Sequence, residues 1–263
     1  MPKLRTITLD IEKAPDLVYT WGRFKQFISQ SQVVQEGYIL SYSIKVLDED
    51  DKYALGLDTF LEVERPTYEE MLVAEKSLLA LLKKELNDAD VIIAHNGDKF
   101  DIPYINSRFA YHKMSPPSFS TQIDTLKFAR KAFKFPSNAL ASLCSYLQLP
   151  LKTDSGGMET FIQCMRGSRK AFKTILEYNL NDSVITEKLY HRIAPFVRAH
   201  PNMGHGEFKC PKCGSSDLQR RGVTPPTAAG VSYPRYSCSS CGKWSQGKQA
   251  VGSVEERRGV LKG

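Results

Sequence analysis

The strongest constraint on how this chain folds is a change of hydrophobic period near residue 68. Before it, Leu4 to Leu9 alternates apolar and polar residues. Tyr38 to Val46 and Tyr53 to Phe60 carry two more strand-like runs, joined by the polar turn cluster Asp48-Glu49-Asp50-Asp51. Alternation rich in β-branched and aromatic residues is strand chemistry, because successive side chains of a strand point to opposite faces. After it, Met71, Leu72, Leu78, Leu79, Leu82 and Leu86 fall at helical spacing and stop before Asn87-Asp88, which predicts an amphipathic helix over 68–86. Val91-Ile92-Ile93-Ala94 then reads as a short buried strand. Helical patterns follow at about 104–112, 138–147 and 170–195, divided by Ser115-Pro116-Pro117, Pro136-Ser137 and Ser155-Gly156-Gly157. A three-stranded meander followed by alternating helix and strand predicts an α/β fold, a mixed sheet with helices packed on it.

With 41% hydrophobic and 25% charged residues the chain has material for a core, which excludes wholesale disorder and fibrous architectures. Apolar runs such as Val91 to Ala94 fall far short of the roughly 20 residues that span a bilayer, so no membrane partner is expected. The start, Met1-Pro2-Lys3-Leu4-Arg5, reaches Asp10 before any apolar region develops, unlike a secretory leader, and the expected compartment is the reducing cytoplasm. After Pro195 periodicity is lost, and His200 to Gly206 reads as a linker; the expected division is a domain over 1–198 and a linker with a small module over 199–263. From Pro201 onward there are 10 Lys or Arg against 4 Asp or Glu, leaving 26 basic and 25 acidic residues before it. A basic excess that dense suits a polyanion, although a solubilising surface has the same composition.

Asp10 and Glu12 lie at the end of the first strand pattern, two residues apart, so both carboxylates face one way. Like charges held close repel unless a hard divalent cation lies between them; an exposed rim pair explains the same spacing. Asp101 follows the Val91–Ala94 strand through His95-Asn96-Gly97-Asp98-Lys99-Phe100 and precedes Ile102-Pro103-Tyr104-Ile105, a context that also suits a helix-capping aspartate. Tyr178 and Asp182 are spaced i, i+4, one helical turn apart on one face.

In this order, Asp10 with Glu12, Asn96-x-x-x-Phe100-Asp101 and Tyr178-x-x-x-Asp182 resemble the three motifs of the DEDD superfamily of 3′ to 5′ exonucleases, in its tyrosine-bearing (DEDDy) branch. The resemblance covers roughly residues 4–195 and is greatest to the proofreading domains of family B DNA polymerases, which carry Phe-Asp-x-Pro-Tyr-Ile as a second motif. The histidine branch would place His at position 177, which is Glu here. No polymerase segment follows, and Asp124-Thr125-Leu126, Ala129-Arg130 and Phe133 to Asn138 look like small stand-alone exonucleases, phage-encoded ones included, which would act in a host cytoplasm. The resemblance implies a ribonuclease H-like fold, a mixed five-stranded sheet flanked by helices, and two Mg²⁺ or Mn²⁺ ions. It implies that Asp10 bridges the ions, that Glu12 and Asp182 complete one site and that Asp101 holds the second ion. Tyr178, with an intrinsic pKa of about 10, is a poor base at neutral pH and would orient the attacking water instead. Asn96 and Phe100 would meet the terminal nucleotides; core packing accounts for Phe100 equally well. His95 reads as a hydrogen-bonded histidine, and Asp98 and Asp124 as capping residues or helpers of the site. The implied activity is release of nucleoside monophosphates from the 3′ end of DNA, single-stranded or frayed, in replication or repair. A ribonuclease, a structure-specific endonuclease and a non-catalytic nucleic-acid-binding adaptor remain open alternatives.

Cys210-x-x-Cys213-Gly214 and Cys238-x-x-Cys241-Gly242 are two C-x-x-C pairs separated by 24 residues. Each pair has the spacing that lets two thiolates grip one tetrahedral Zn²⁺, so a zinc ribbon with one structural ion is expected; a disulfide framework would conflict with a reducing compartment. Cys144 and Cys164 fall in helical patterns and read as buried apolar residues. Lys212, Arg220, Arg221, Arg235 and Lys243 interleave with Tyr236 and Trp244, combining cations for phosphates with rings for bases. The module is therefore expected to help hold nucleic acid, with docking of a replication or repair protein as the competing role.

Overall fold

The computed structural model describes residues 4–24, 26–119, 121–151, 153–198, 200–204 and 208–252. The alternating N-terminal segment forms β1 (Thr6–Lys13) and runs four residues beyond the predicted Leu9, so Asp10 and Glu12 lie within the strand. A small hairpin missed in the sequence follows, β2 (Leu17–Val18) with β3 (Val33–Gln35), and then β4 (Ile39–Val46) and β5 (Lys52–Gly56) complete the expected meander. The predicted third strand stops at Gly56, because Leu57–Phe60 turns into a 3-10 helix. α1 (Tyr68–Asp88) opens with a capping box in which the Thr67 hydroxyl accepts from Glu70 N at 3.2 Å and Glu70 Oε2 accepts from Thr67 N at 2.7 Å.

β6 (Val91–Ala94) is fully buried, as its apolar run predicts. α2 (Asp101–Tyr111) begins at Asp101 itself, and Pro103 fits its first turn, where the N–H it lacks would have no intrahelical partner. β7 (Thr121–Asp124) leads directly into α3 (Thr125–Ala132), followed by α4 (Leu140–Tyr146). α5 (Gly157–Met165) starts at the glycine pair that the sequence offers as a breaker; α6 (Arg169–Ile193) is the long C-terminal helix. The sheet has the order β5-β4-β1-β6-β7, antiparallel on the meander side and parallel from β1 to β7. This is the mixed five-stranded sheet that the resemblance implies.

The two faces of β1 and β4 carry different chemistry. Ile7, Leu9 and Ile11 join Tyr42, Ile44 and the α1 residues Met71, Ala74, Leu78, Leu82 and Leu86 in one hydrophobic core. The same alternation puts Ser41, Ser43 and Lys45 on the opposite face of β4, all buried. There they meet α6: Ser41 Oγ lies 3.3 Å from Asn179 Oδ1, Ser43 Oγ lies 2.6 Å from Ser183 Oγ, and Lys45 Nζ lies 3.1 Å from Glu187 Oε1. Positions 179, 183 and 187 recur every four residues, so a strand period of two meets one helical stripe. Serines at 41 and 43 satisfy these polar groups with little bulk between strand and helix.

Glu75 of α1 is fully buried and joins three elements: Oε1 accepts from Ile39 N at 2.8 Å and Arg108 Nε at 2.8 Å, while Oε2 lies 2.6 Å from Arg108 Nη2 and 2.7 Å from His112 Nε2.

The chain divides into two compact units, one over Arg5–His191 and one containing the residues from Arg192 onward. In the second, β8 (Leu218–Val223), β9 (Pro234–Cys238) and β10 (Trp244–Gln246) form an antiparallel sheet in the order β10-β9-β8. Among the described residues no helix is long and apolar enough to cross a membrane.

Candidate active site

β1 and β4 pair so that Asp10 lies opposite Ser43 and Glu12 opposite Ser41, which puts both carboxylates on the polar face beneath α6. From α6, Asp182 reaches the same place: one carboxylate oxygen from each of Asp10, Glu12 and Asp182 lies within 4.8 Å of the others. Asp182 is 3% exposed, whereas Asp10 and Glu12 are half-buried. Asn179, fully buried, orients one member of the group: its Nδ2 donates to Asp10 Oδ2 at 2.6 Å. The Ser43 hydroxyl donates to the Asn179 carbonyl at 2.8 Å and fixes that turn of the helix. Sequence reasoning passes over Asn179; its signal is the pair of serines in a strand buried along its whole length. Tyr178 precedes Asn179 on α6 and is half-buried, one turn before Asp182.

Asp101 lies outside the group of three. It is 2% exposed at the start of α2, and its Oδ1 accepts from the backbone N–H of Ile11, between Asp10 and Glu12, at 3.2 Å. Burial pushes its carboxyl up to about 7 against the lowering effect of that N–H, and the nearby Asp124 charge pushes the same way as burial. Asp124 caps α3, accepting from Leu126 N at 2.9 Å, and also takes the Asn96 N–H at 3.0 Å. That is the capping role weighed in the sequence. Asp98 pairs with Lys127. Both ring nitrogens of His95 have partners, Thr125 Oγ1 at 2.9 Å and the Asn138 carbonyl at 3.0 Å, as read from the sequence.

A cleft of about 670 Å³ opens beside this group, lined by Asp10, His95 and Asn96 together with Arg130, Ser137 and Asn138. Arg130, named in the sequence only as part of a resemblance, gives it a cation. Phe100, the residue before α2, is 39% exposed, its ring stacked on Tyr104 with centroids 6.2 Å apart.

Three carboxylates within 4.8 Å repel one another in water, and a hard divalent cation with oxygen ligands converts that repulsion into coordination, so the donor set fits Mg²⁺ or Mn²⁺. A sequence profile of the RNase_H superfamily matches residues 47–194, which contain Asp101 and Asp182 and begin after Asp10 and Glu12. The chain belongs to the RNase H superfamily. A curated relative, the PolC-type DNA polymerase III of Ureaplasma parvum serovar 3, is 36% identical over 77 residues, 29% of this chain. The match spans 5% of that polymerase. Among solved structures, the family B DNA polymerase of the hyperthermophilic archaeon Pyrobaculum calidifontis aligns over 74% of this chain with a TM-score of 0.52 and 14% identity. The aligned part is 25% of the polymerase chain, and the likeness is one of fold.

In the second unit of this RNase H superfamily chain, the Sγ atoms of Cys210, Cys213, Cys238 and Cys241 lie within 4.8 Å of one another. Cys210 to Cys241 and Cys213 to Cys238 are each 3.7 Å. A disulfide needs about 2.05 Å. A tetrahedron of thiolates about 2.3 Å from a central zinc has edges of about 3.8 Å, so the four sulfurs fit that ion. Gly214 and Gly242 take φ of 71° and 69° as the chain turns back after each pair, donating to the Cys210 and Cys238 carbonyls at 2.9 and 2.8 Å. Cys144 and Cys164 are buried, as the sequence reading has them.

The basic and aromatic residues around this cluster are divided between two sheet faces. Arg220 pairs with Tyr236 across β8 and β9, while Arg235 faces the other way and stacks on Trp244, its guanidinium 4.3 Å from the ring centroid. Arg221 is exposed and Lys243 half-buried. The Lys212 ammonium donates to the Val197 and Arg198 carbonyls at 2.9 and 3.0 Å, which commits two of its three donors to its own unit.

Proposed function

We propose that this chain is a 3′ to 5′ exonuclease of the DEDDy type, using two divalent metal ions to hydrolyse the terminal phosphodiester of single-stranded DNA and release nucleoside 5′-monophosphates. The observation that carries this reading is the convergence of Asp10, Glu12 and Asp182, which are far apart in sequence, within 4.8 Å on a fold of the RNase H superfamily. The names of the relatives support it, since both are DNA polymerases. When bound, paired divalent ions supply an activated water and charge relief for the leaving 3′ oxygen. Asp10, Glu12 and Asp182 would hold one ion, and Asp101 would help to hold the other. Asn179 fixes the rotamer of Asp10. Tyr178 orients the attacking water through its hydroxyl, Phe100 packs on the terminal nucleotide, and Asn96 and Arg130 line the path of the strand.

The test uses oligonucleotides labelled at the 5′ end, DNA and RNA in parallel, with Mg²⁺, with Mn²⁺ and with EDTA. A label that shortens stepwise on DNA only when metal is present is the expected result. Internal cuts would reassign the site to an endonuclease, preference for RNA to a ribonuclease, and no metal-dependent loss to a binding adaptor.

For the cysteine unit we propose one structural Zn²⁺ on Cys210, Cys213, Cys238 and Cys241, supported by the 3.7 Å sulfur spacings, and a role in holding nucleic acid through Arg220, Arg221, Arg235, Tyr236, Lys243 and Trp244. Metal analysis of the purified chain should return one zinc per chain, and Cys238→Ser should remove it.

A further inference from the structure

Between β1 and β4 the chain makes an excursion that takes no part in the five-stranded sheet: β2 and β3 pair only with each other. The stem is closed by Tyr19 N donating to the Gln32 carbonyl at 2.8 Å and by Gln32 Nε2 donating to the Tyr19 carbonyl at 2.9 Å. The loop it carries has local polar contacts, Thr20 Oγ1 donating to the Gly22 carbonyl at 2.8 Å and Gln26 Nε2 to the Phe24 carbonyl at 2.9 Å. That loop presents large rings to water: Trp21 is 100% exposed, Phe27 90%, Phe24 86% and Tyr19 77%. Isolated exposed apolar residues are ordinary, but four rings on one short excursion mark an interaction surface.

Its charge and position point to the partner. From Leu17 to Gln35 the sequence holds Arg23 and Lys25 and no acidic residue, so rings and positive charge coincide, as they do where single strands bind. The base of the hairpin is also joined to the site. A Cβ at Gly37 would lie 2.3 Å from the Ala14 carbonyl and 3.3 Å from the Tyr104 hydroxyl, so only glycine permits this approach. Lys13, which directly follows Glu12 on β1, places its ammonium 5.1 Å from the Tyr104 ring, and Tyr104 stacks on Phe100. A connected series of residues therefore leads from Phe100, which directly precedes Asp101, through Tyr104 to Lys13 and the root of the hairpin.

We propose that this hairpin is a nucleic-acid-binding arm: Trp21, Phe24 and Phe27 stack on unpaired bases upstream of the 3′ end held in the acidic cleft. The inference rests on the nuclease reading for its substrate class. A protein partner is the alternative that the experiment separates from it.

The full-length zinc-containing chain has two tryptophans, so Trp244→Phe, which keeps an aromatic ring at that position, leaves Trp21 as the only tryptophan, excited selectively beyond the tyrosine band. In that background, with Asp182→Ala added to stop turnover, single-stranded oligodeoxynucleotides of 4 to 20 nucleotides are titrated against Trp21 emission. Quenching that saturates, and that needs the longer strands, is expected. Adding Phe24→Ala and Phe27→Ala should raise Kd about tenfold or more. In the active chain, Trp21→Ala should raise KM for a long oligonucleotide severalfold, leave hydrolysis of a dinucleotide unchanged, and be rescued by Trp21→Tyr. Absence of quenching, or a Kd within twofold of the parent, overturns the arm and favours a protein-docking role. Turnover with an unaffected Kd would sink the arm and spare the nuclease, whereas ring-dependent binding without wild-type turnover would do the reverse.

Discussion

The two sides of the central sheet are built on opposite principles. Towards α1, β1 and β4 present Ile7, Leu9, Ile11, Tyr42 and Ile44 to a helix whose inward residues are almost all apolar. Towards α6, the same strands present Asp10, Glu12, Ser41, Ser43 and Lys45 to Asn179, Asp182, Ser183 and Glu187. The apolar side gains stability in proportion to the area it removes from water. The polar side replaces hydrations with directed hydrogen bonds of small net value, and ends in carboxylates that repel one another. One side holds the fold, and the other uses that rigidity to keep charges together.

Substitutions test this division. Asp182→Ala should lower the metal-dependent rate by about a thousandfold, equivalent to about 4 kcal/mol of barrier. In EDTA it should leave the melting temperature unchanged or raised, because a like charge is removed; a large loss of stability would mean that the carboxylate group is structural. Leu82→Ala, beneath the apolar side, should behave oppositely, costing about 2 to 5 kcal/mol in urea unfolding with the turnover number of the folded chain intact. Asn179→Ala lies between the two. It should lower the rate about 10- to 100-fold and cost about 1 to 3 kcal/mol, since it removes the amide that donates to Asp10 and accepts from Ser41.

The smallest effect is expected at the end of the polar stripe, where His191 Nε2 lies 3.0 Å from Asp48 Oδ1. The hydrogen bond to Asp48 raises the His191 pKa against the effect of burial; Glu187 adds to the rise and Lys45 opposes it. A raised folded-state value stabilises fully below the unfolded pKa of about 6.5 and is lost as pH climbs through the folded value. Both side chains are largely solvated, so the contribution is below about 0.5 kcal/mol. The melting temperatures of the parent and His191→Gln should differ slightly at pH 5.5 and converge above neutrality.

What could be read in advance depended on the range of the interaction. The helix over Tyr68–Asp88 was legible because its caps and apolar spacing are local, and the β1, β4, β5 meander because alternation and a turn cluster are local too. β7 was not, since Thr121-Gln-Ile-Asp has a single aliphatic residue and becomes a strand only by pairing with β6. Gly156-Gly157 reads as a gap but is the start of α5, Gly156 taking the left-handed conformation at the N-cap. The hairpin of β2 and β3 escaped because its aromatic residues look like core and are exposed.

By itself the sequence determined the mixed sheet and the paired cysteines, since period and spacing act over a few residues, and its resemblance to a family picked out the three acidic motifs. Only the tertiary structure decided that Asn179 would hold Asp10, that Asp101 would turn to the Ile11 amide, and that Arg235 and Arg220 would take opposite faces of their sheet. Those outcomes depend on strand register and on which helical stripe meets which strand, and each is set by packing between segments that are distant along the chain.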